Sequence, residues 1–279
     1  MYRWAFVLLR ILPLSYLYIF GRRCMDVWLF LCPRDRIIVR NNLRKIGAPS
    51  NQDKETFYRF SRYWIDFFSN VQLTKGQIDQ IFRFEGLSYL DEALDKGEGV
   101  ILLTGHLGNW ELGGLALGLK GYAVSAVAMD HKNSRINQFF ITLRESKGVK
   151  VIPLGKAGRE CIRVLRSNRV LALLGDRIFD PSEKKVRVSF FEGAMDVPRG
   201  PAYLAYKTGA VVVPTFIIME EPGRYVFRCF PGIDPRGFEG QEEAVCFKIM
   251  QEYVKVFESC VEENPTQWFA FQDIWKAKF

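Results

Sequence analysis

His106 and Glu111 carry the pair of types that could move a proton from a hydroxyl, and they stand in the stretch Gly105-His106-Leu107-Gly108-Asn109-Trp110-Glu111. A neutral imidazole takes a proton near pH 7, and a carboxylate beside it orients the ring and stabilises the cation. On one continuous helix a five-residue step turns about 500°, leaving the two side chains roughly 140° apart, so they would not share a face. They can meet if His106 lies on a loop and Glu111 in the first turn of a following helix. No serine or cysteine nucleophile is needed when the substrate brings the hydroxyl. Backbone N–H groups near Gly108 or Asn109 are the candidates to hold the oxyanion. The competing reading is a structural histidine beside a helix-capping glutamate. The flanking glycines and the strand-to-helix position favour the catalytic one.

The neighbouring residues supply those elements. Val100 to Leu103 is apolar and bounded by glycines, as a strand covered on both faces should be. Leu112 to Leu119 is small and apolar enough for a buried helix, with Asn109 as its N-cap and Glu111 held ionised by the helix N-terminus. His106 then sits at the carboxyl end of a strand, where open α/β sheets place their ligands. Further strands are expected at Ala123–Met129, Val149–Pro153, Val170–Leu174 and Ala210–Met219, with Tyr225–Phe230 pairing antiparallel to the last. Helices are expected over 86–96, up to Arg144, over Gly158–Ser167, Pro201–Thr208 and Gln241–Cys260. The aromatic stripe of residues 53–71 (Phe57, Phe60, Tyr63, Trp64, Phe67, Phe68) reads as core and could also line an acyl-chain tunnel. An aspartate directly after the strand Val170–Leu174, Asp176, again points to the ligand edge.

At 279 residues and 48% hydrophobic content the chain can bury one α/β core. Most of its net charge of +8 is local, since residues 1–45 hold nine Lys and Arg against Asp26 and Asp35. The same segment carries Trp4, Phe6, Phe20, Trp28 and Phe30, a mixture that suits an anionic membrane surface better than nucleic acid. Residues 4–20 are apolar but broken by Arg10 and Pro13, short of the ~20 apolar residues of a full span. They are expected to lie in the cytoplasmic leaflet, with a single-pass anchor as the alternative and an ordinary core helix as the plainest reading. The six cysteines are scattered, with no CxxC pair, as befits free thiols in a reducing compartment. With His131, read as a surface residue, the only other histidine, no metal site is expected. GxSxG, Walker and GxGxxG signatures are missing, which removes the hydrolase, NTPase and Rossmann readings.

The stretch Gly105 to Glu111 resembles the catalytic motif of the bacterial lipid A late acyltransferases, within the wider lysophospholipid acyltransferase superfamily. Asn42-Leu43-Arg44 and the tail Asn264-Pro265-Thr266-Gln267-Trp268-Phe269 are similar to the family's entry and closing elements. Relatives continue with a basic ending where this chain has Asp273-Ile274-Trp275-Lys276. The resemblance implies a single-domain acyltransferase fold, a mostly parallel central sheet flanked by helices, over 36–279, with a membrane-associating helical segment over 1–35. It implies His106 as base and Glu111 as its partner. Arg144 matches a family arginine suited to a phosphate, and would otherwise be a solvated helix-end cation. Asp176 matches a family aspartate that orders the site through Arg144 or Arg177, although Leu-Gly-Asp-Arg replaces the usual Pro-Asp-x-Asp. The loop Phe190-Phe191-Glu192-Gly193 echoes a superfamily segment that binds an acceptor phosphate, with Glu192 and Gly193 as ligands and Arg199 nearby for an anionic head group.

The expected activity is direct transfer of a fatty acyl group from acyl carrier protein or acyl-CoA to a hydroxyl of a lipid A precursor. The setting is the cytoplasmic face of the inner membrane, with no cofactor beyond the thioester co-substrate and a monomeric enzyme. A lysophospholipid, glycolipid or ornithine lipid acceptor is the alternative, and a non-catalytic peripheral membrane protein is the third reading.

Overall fold

The computed structural model describes residues 12–70, 73–129, 132–178 and 183–275. His131 and the first part of the apolar stretch 4–20 lie outside them. The described chain begins with α1 (Leu14–Leu31), α2 (Pro33–Lys45) and α3 (Asp53–Ser69). A short helix α4 (Ile78–Ile81), strand β1 (Phe82–Glu85) and helix α5 (Leu87–Asp95) lead to β2 (Val100–Thr104). Then come α6 (Trp110–Lys120), β3 (Val124–Ala128), α7 (Ser134–Glu145), β4 (Val149–Pro153), α8 (Ala157–Arg166) and β5 (Val170–Leu174). The last part holds β6 (Lys185–Phe190), β7 (Gly193–Pro198), α9 (Gly200–Thr208), β8 (Val211–Met219), β9 (Tyr225–Cys229) and α10 (Glu242–Glu263).

Seven strands form one sheet in the order β1-β9-β8-β2-β5-β3-β4, parallel at every step except β8 with β9. Every residue of β2 and β8 is buried, as an apolar run sandwiched between helical layers should be. Alternation divides β2 between two cores. Ile101 and Leu103 pack with α10 residues such as Tyr253 and Phe257. Val100 and Leu102 pack with α6 residues such as Leu112 and Leu115. The antiparallel turn from β8 to β9 agrees with expectation, and β1 and the hairpin β6–β7 are strands beyond those expected.

The N-terminal segment departs from its expected course. From Leu14 the helix continues past Arg22 and Arg23 to Leu31 and packs on α3. Gly21 makes the approach possible, since a Cβ there would fall 2.8 Å from Ile65 Cδ1. Tyr18 of α1 and Tyr225 of β9 both donate to the buried carboxylate of Asp66 on α3, which Arg62 also contacts. Burial raises the Asp66 pKa, and these donors pull it back only in part. The opposite side of α1 exposes Tyr16, Phe20, Val27, Phe30 and Leu31. Among the described residues no helix is long and apolar enough to cross a membrane, so the single-pass alternative finds no support there.

Candidate active site

The neighbouring parallel strands β2 and β5 run in register, Thr104 opposite Leu174. Each is followed by a glycine and then a functional residue, Gly105-His106 on one and Gly175-Asp176 on the other. The register is carried one step further by the Gly175 N–H, which donates to the Thr104 carbonyl at 2.8 Å. His106 and Asp176 therefore leave the sheet side by side, and Nδ1 of His106 lies 2.7 Å from Oδ1 of Asp176. Both glycines stand where a side chain has no room: a Cβ on Gly105 would fall 2.7 Å from the Phe257 ring, one on Gly175 2.8 Å from Leu103 Cδ1.

Asp176 is fully covered and does not stand alone. Its second oxygen accepts from Arg177 Nε at 3.1 Å and from the terminal guanidinium nitrogen at 2.6 Å. Arg177 donates its remaining arm to the Phe269 carbonyl at 2.9 Å, and the Phe269 N–H returns to the His106 carbonyl at 2.8 Å. The ring of contacts closes on the histidine. Burial pushes the Asp176 pKa up, but Arg177 and His106 more than offset it, and the carboxyl is held well below its usual range. Burial is also the largest influence on His106. It lowers the imidazole pKa below 6.5, Asp176 works against it, and the net direction is down. The lowered pKa favours the neutral ring at physiological pH.

Glu111 has a different partner from the one expected. It lies in the first turn of α6, but its two oxygens take Arg144 Nε at 2.9 Å and the terminal nitrogen at 2.5 Å. This two-pronged pair ties α6 to the end of α7, with side chains 19% and 13% exposed. Asp176, not Glu111, makes the contact to the His106 ring, and Glu111 reaches it only as a weaker long-range charge. Arg144, expected to meet a phosphate, has Nε and one terminal nitrogen on the Glu111 carboxylate.

The oxyanion candidates also need correction. The Gly108 N–H donates to the Gln267 carbonyl at 3.0 Å and the Asn109 N–H to the Ile217 carbonyl at 2.8 Å. Gly108 is glycine because its φ is +66° and a Cβ would fall 1.8 Å from the Ile217 oxygen. Asn109 is the helix cap: its side chain accepts from Leu112 N at 3.2 Å and donates to the Tyr63 carbonyl. Thr104, which the sequence reading does not single out, has a buried hydroxyl with no hydrogen-bond partner among the described residues.

Glu192 and Gly193 sit elsewhere. They form the exposed tip of the β6–β7 hairpin, where Phe191 takes a φ of +49°. The hairpin docks on α10 through Phe190 on Phe257, Gln251 on Ser189 and Glu258 on the Phe191 N–H. Neither Glu192 nor Gly193 lines the cavity at His106. Arg199 is ion-paired with Glu242 at the start of α10, while its neighbours Pro198 and Gly200 line the cavity.

Two elements singled out in the sequence prove to be the clamp behind the loop that carries His106. Gln267 accepts from the Met219 N–H at 2.8 Å and donates to its carbonyl at 2.9 Å, fixing the tail to β8. Asn42 of α2 is buried and donates to the carbonyls of Ala270 and Gln272, both at 2.9 Å. The tail so held presents Phe269 to His106 and Arg177.

His106 opens into a cavity of about 1210 Å³. On the α6 side its wall is largely apolar, with Leu102, Gly114, Leu117, Ala126, Val149 and Ala172, and also carries the Glu111–Arg144 pair. The other side meets α8 and α9, with Arg159, Arg163, Glu183 and Tyr203. Trp110 packs edge-on against the His106 ring at 4.7 Å and stacks on Tyr63 at 4.5 Å. The aromatic stripe of α3 thus does two jobs: Phe57 and Phe67 are core, while Tyr63 and Trp64 line the cavity.

An imidazole held by a carboxylate at the carboxyl edge of a parallel sheet, over a largely apolar cavity, fits an enzyme that transfers acyl groups. Residues 1–277 match the family described as bacterial lipid A biosynthesis acyltransferase, and the chain belongs to it. It is 33% identical over 226 residues to the phosphatidylinositol mannoside acyltransferase of Mycobacterium tuberculosis, covering 78% of this chain and 68% of that protein. It is 30% identical over 247 residues to the protein of the same name from Mycolicibacterium smegmatis, covering 85% of this chain and 78% of the relative.

Proposed function

We propose that this acyltransferase moves a fatty acyl group from a thioester donor, acyl carrier protein or acyl-CoA, to a hydroxyl of a glycolipid at a membrane surface. The observation that carries the chemistry is the His106–Asp176 contact at the mouth of a cavity with an apolar branch. With Nδ1 committed to Asp176, Nε2 is the ring nitrogen that takes the proton from the acceptor hydroxyl. The hydroxyl oxygen attacks the thioester carbon, and the thiol of the donor leaves with a proton returned by the imidazolium. Asp176 stabilises that cation and fixes the tautomer, and Arg177 keeps Asp176 ionised. Glu111 and Arg144 brace α6 against α7 beside the reacting groups. The acyl chain lies in the apolar branch and the head group faces the α8–α9 side.

A sugar-bearing acceptor is supported by the relatives, whose names specify a phosphatidylinositol mannoside, and by the family description, which specifies lipid A. Both are glycolipids. Membrane association is supported by the exposed apolar side of α1 beside Arg22, Arg23 and Arg34. The test is mass spectrometry of total lipids from cells with and without the gene, together with complementation by His106→Ala. Loss of one acyl chain from a glycolipid, restored by the wild type and not by the variant, is the expected result. Unchanged glycolipids with an altered phospholipid or ornithine lipid would overturn the acceptor assignment. Restoration by His106→Ala would overturn the base.

A further inference from the structure

Helix α6 carries three glycines before its C-cap, and two of them are explained by their neighbours. A Cβ on Gly113 would fall 2.4 Å from Ile217 Cδ1, and one on Gly118 would fall 2.1 Å from the Lys147 carbonyl oxygen. Helix and chain come too close there for a side chain. Gly114 is different. A Cβ at this position meets nothing within 4 Å, and its backbone is not in the left-handed region. Glycine is the poorest residue after proline in a helix interior, so neither packing nor backbone geometry asks for it.

What Gly114 does is line the cavity on its apolar side. The sheet beneath α6 is reduced in the same region: Ala126 and Ala172 are in register on β3 and β5 and belong to the core shared with α6. A Cβ at 114 would face the cavity and touch nothing within 4 Å. We propose that Gly114 sets the longest acyl chain this enzyme accepts, its missing side chain being the room for the distal methylenes. This rests on the reading that the apolar branch receives the acyl chain.

The test uses purified full-length wild type, Gly114→Ala and Gly114→Leu. Binding of octanoyl-, lauroyl- and palmitoyl-CoA is followed by quenching of tryptophan fluorescence, with Trp64 and Trp110 on the cavity wall. Each methylene kept out of an apolar slot costs about fourfold in affinity. A leucine that excludes two of them weakens palmitoyl binding roughly 15-fold and leaves octanoyl binding within about twofold. Gly114→Ala moves the same way by less. The melting temperature holds or rises, because both substitutions favour the helix, so weak binding cannot be laid to unfolding. Palmitoyl binding by Gly114→Leu equal to wild type overturns the proposal, as does an equal loss for all three donors. A separate arm measures acyl transfer by His106→Ala. Full activity there would sink the assigned chemistry, whereas the binding series judges Gly114 alone.

Discussion

Replacing Asp176 with asparagine preserves the shape of the site and removes one charge, and its consequences can be worked from three contacts. The carboxylate holds His106 at 2.7 Å and Arg177 at 2.6 and 3.1 Å, all of it buried. Arg177 retains its bond to the Phe269 carbonyl but loses its counter-charge. Removing one partner of a buried pair costs about 3–5 kcal/mol, which for a chain of this size lowers the melting temperature by roughly 6–20 °C. The asparagine amide has one donor and one acceptor group. If its oxygen turns to Arg177, its NH₂ faces the ring and favours the tautomer protonated on Nε2, which cannot act as a base. By analogy with the loss of the buried carboxylate from a serine-protease triad, kcat falls about 10³–10⁴-fold. The pH profile separates this from simple unfolding. Burial and Arg177 lower the His106 pKa, and Asp176 is the main group that raises it, with a smaller contribution from Glu111. Without Asp176 the acid limb of the residual activity moves to lower pH. The assay is thioester turnover against pH at a temperature where both proteins are folded. Turnover within threefold of wild type, or an acid limb that does not move, would refute the role given to Asp176.

The wild type itself should gain activity with rising pH through a midpoint below 6.5, because the neutral ring is the working form and its pKa is depressed; a kcat/KM profile checks this. Glu111→Gln breaks the fork with Arg144 in a half-screened setting, costing about 1–2 kcal/mol. It should lower turnover less than Asp176→Asn, and in a double-mutant cycle with Arg144→Met the two losses in melting temperature should not add. Gln267→Ala frees the tail from β8, losing two buried hydrogen bonds or about 2–3 kcal/mol. A thermal melt and a kcat that falls while donor KM stays level are the readouts. Phe30→Asp with Phe20→Asp removes exposed apolar surface from α1, and should weaken binding to anionic vesicles more than tenfold. Turnover of a detergent-dispersed acceptor should remain unchanged.

Much of this site could be read from local pattern. The apolar run after Gly99, the glycine-flanked histidine and the Asn109 cap are local signals, and local signals determine where a strand ends and a helix begins. The Asn109 cap and the placement of Glu111 in the first turn of α6 follow from three or four residues of sequence. The alternation Lys185-Val-Arg-Val-Ser-Phe was equally legible as a strand with one buried face. Its pairing with β7, which makes Glu192 and Gly193 a hairpin tip, is set by the partner strand and not by the alternation alone.

The amino-acid sequence by itself determined that a glycine-flanked histidine stands at the carboxyl edge of a mostly parallel sheet and that an aspartate stands at a second such edge. Which carboxylate holds the base was decided by tertiary structure alone. His106 and Asp176 are seventy residues apart and meet because β2 pairs with β5, a choice made by the whole sheet. The same holds for Glu111, whose partner comes from α7, and for the amides of Gly108 and Asn109, which are spent on a tail and a strand more than a hundred residues away. Local periodicity records which face of an element is buried. The partner on that face depends on strand order and register, which long-range packing selects.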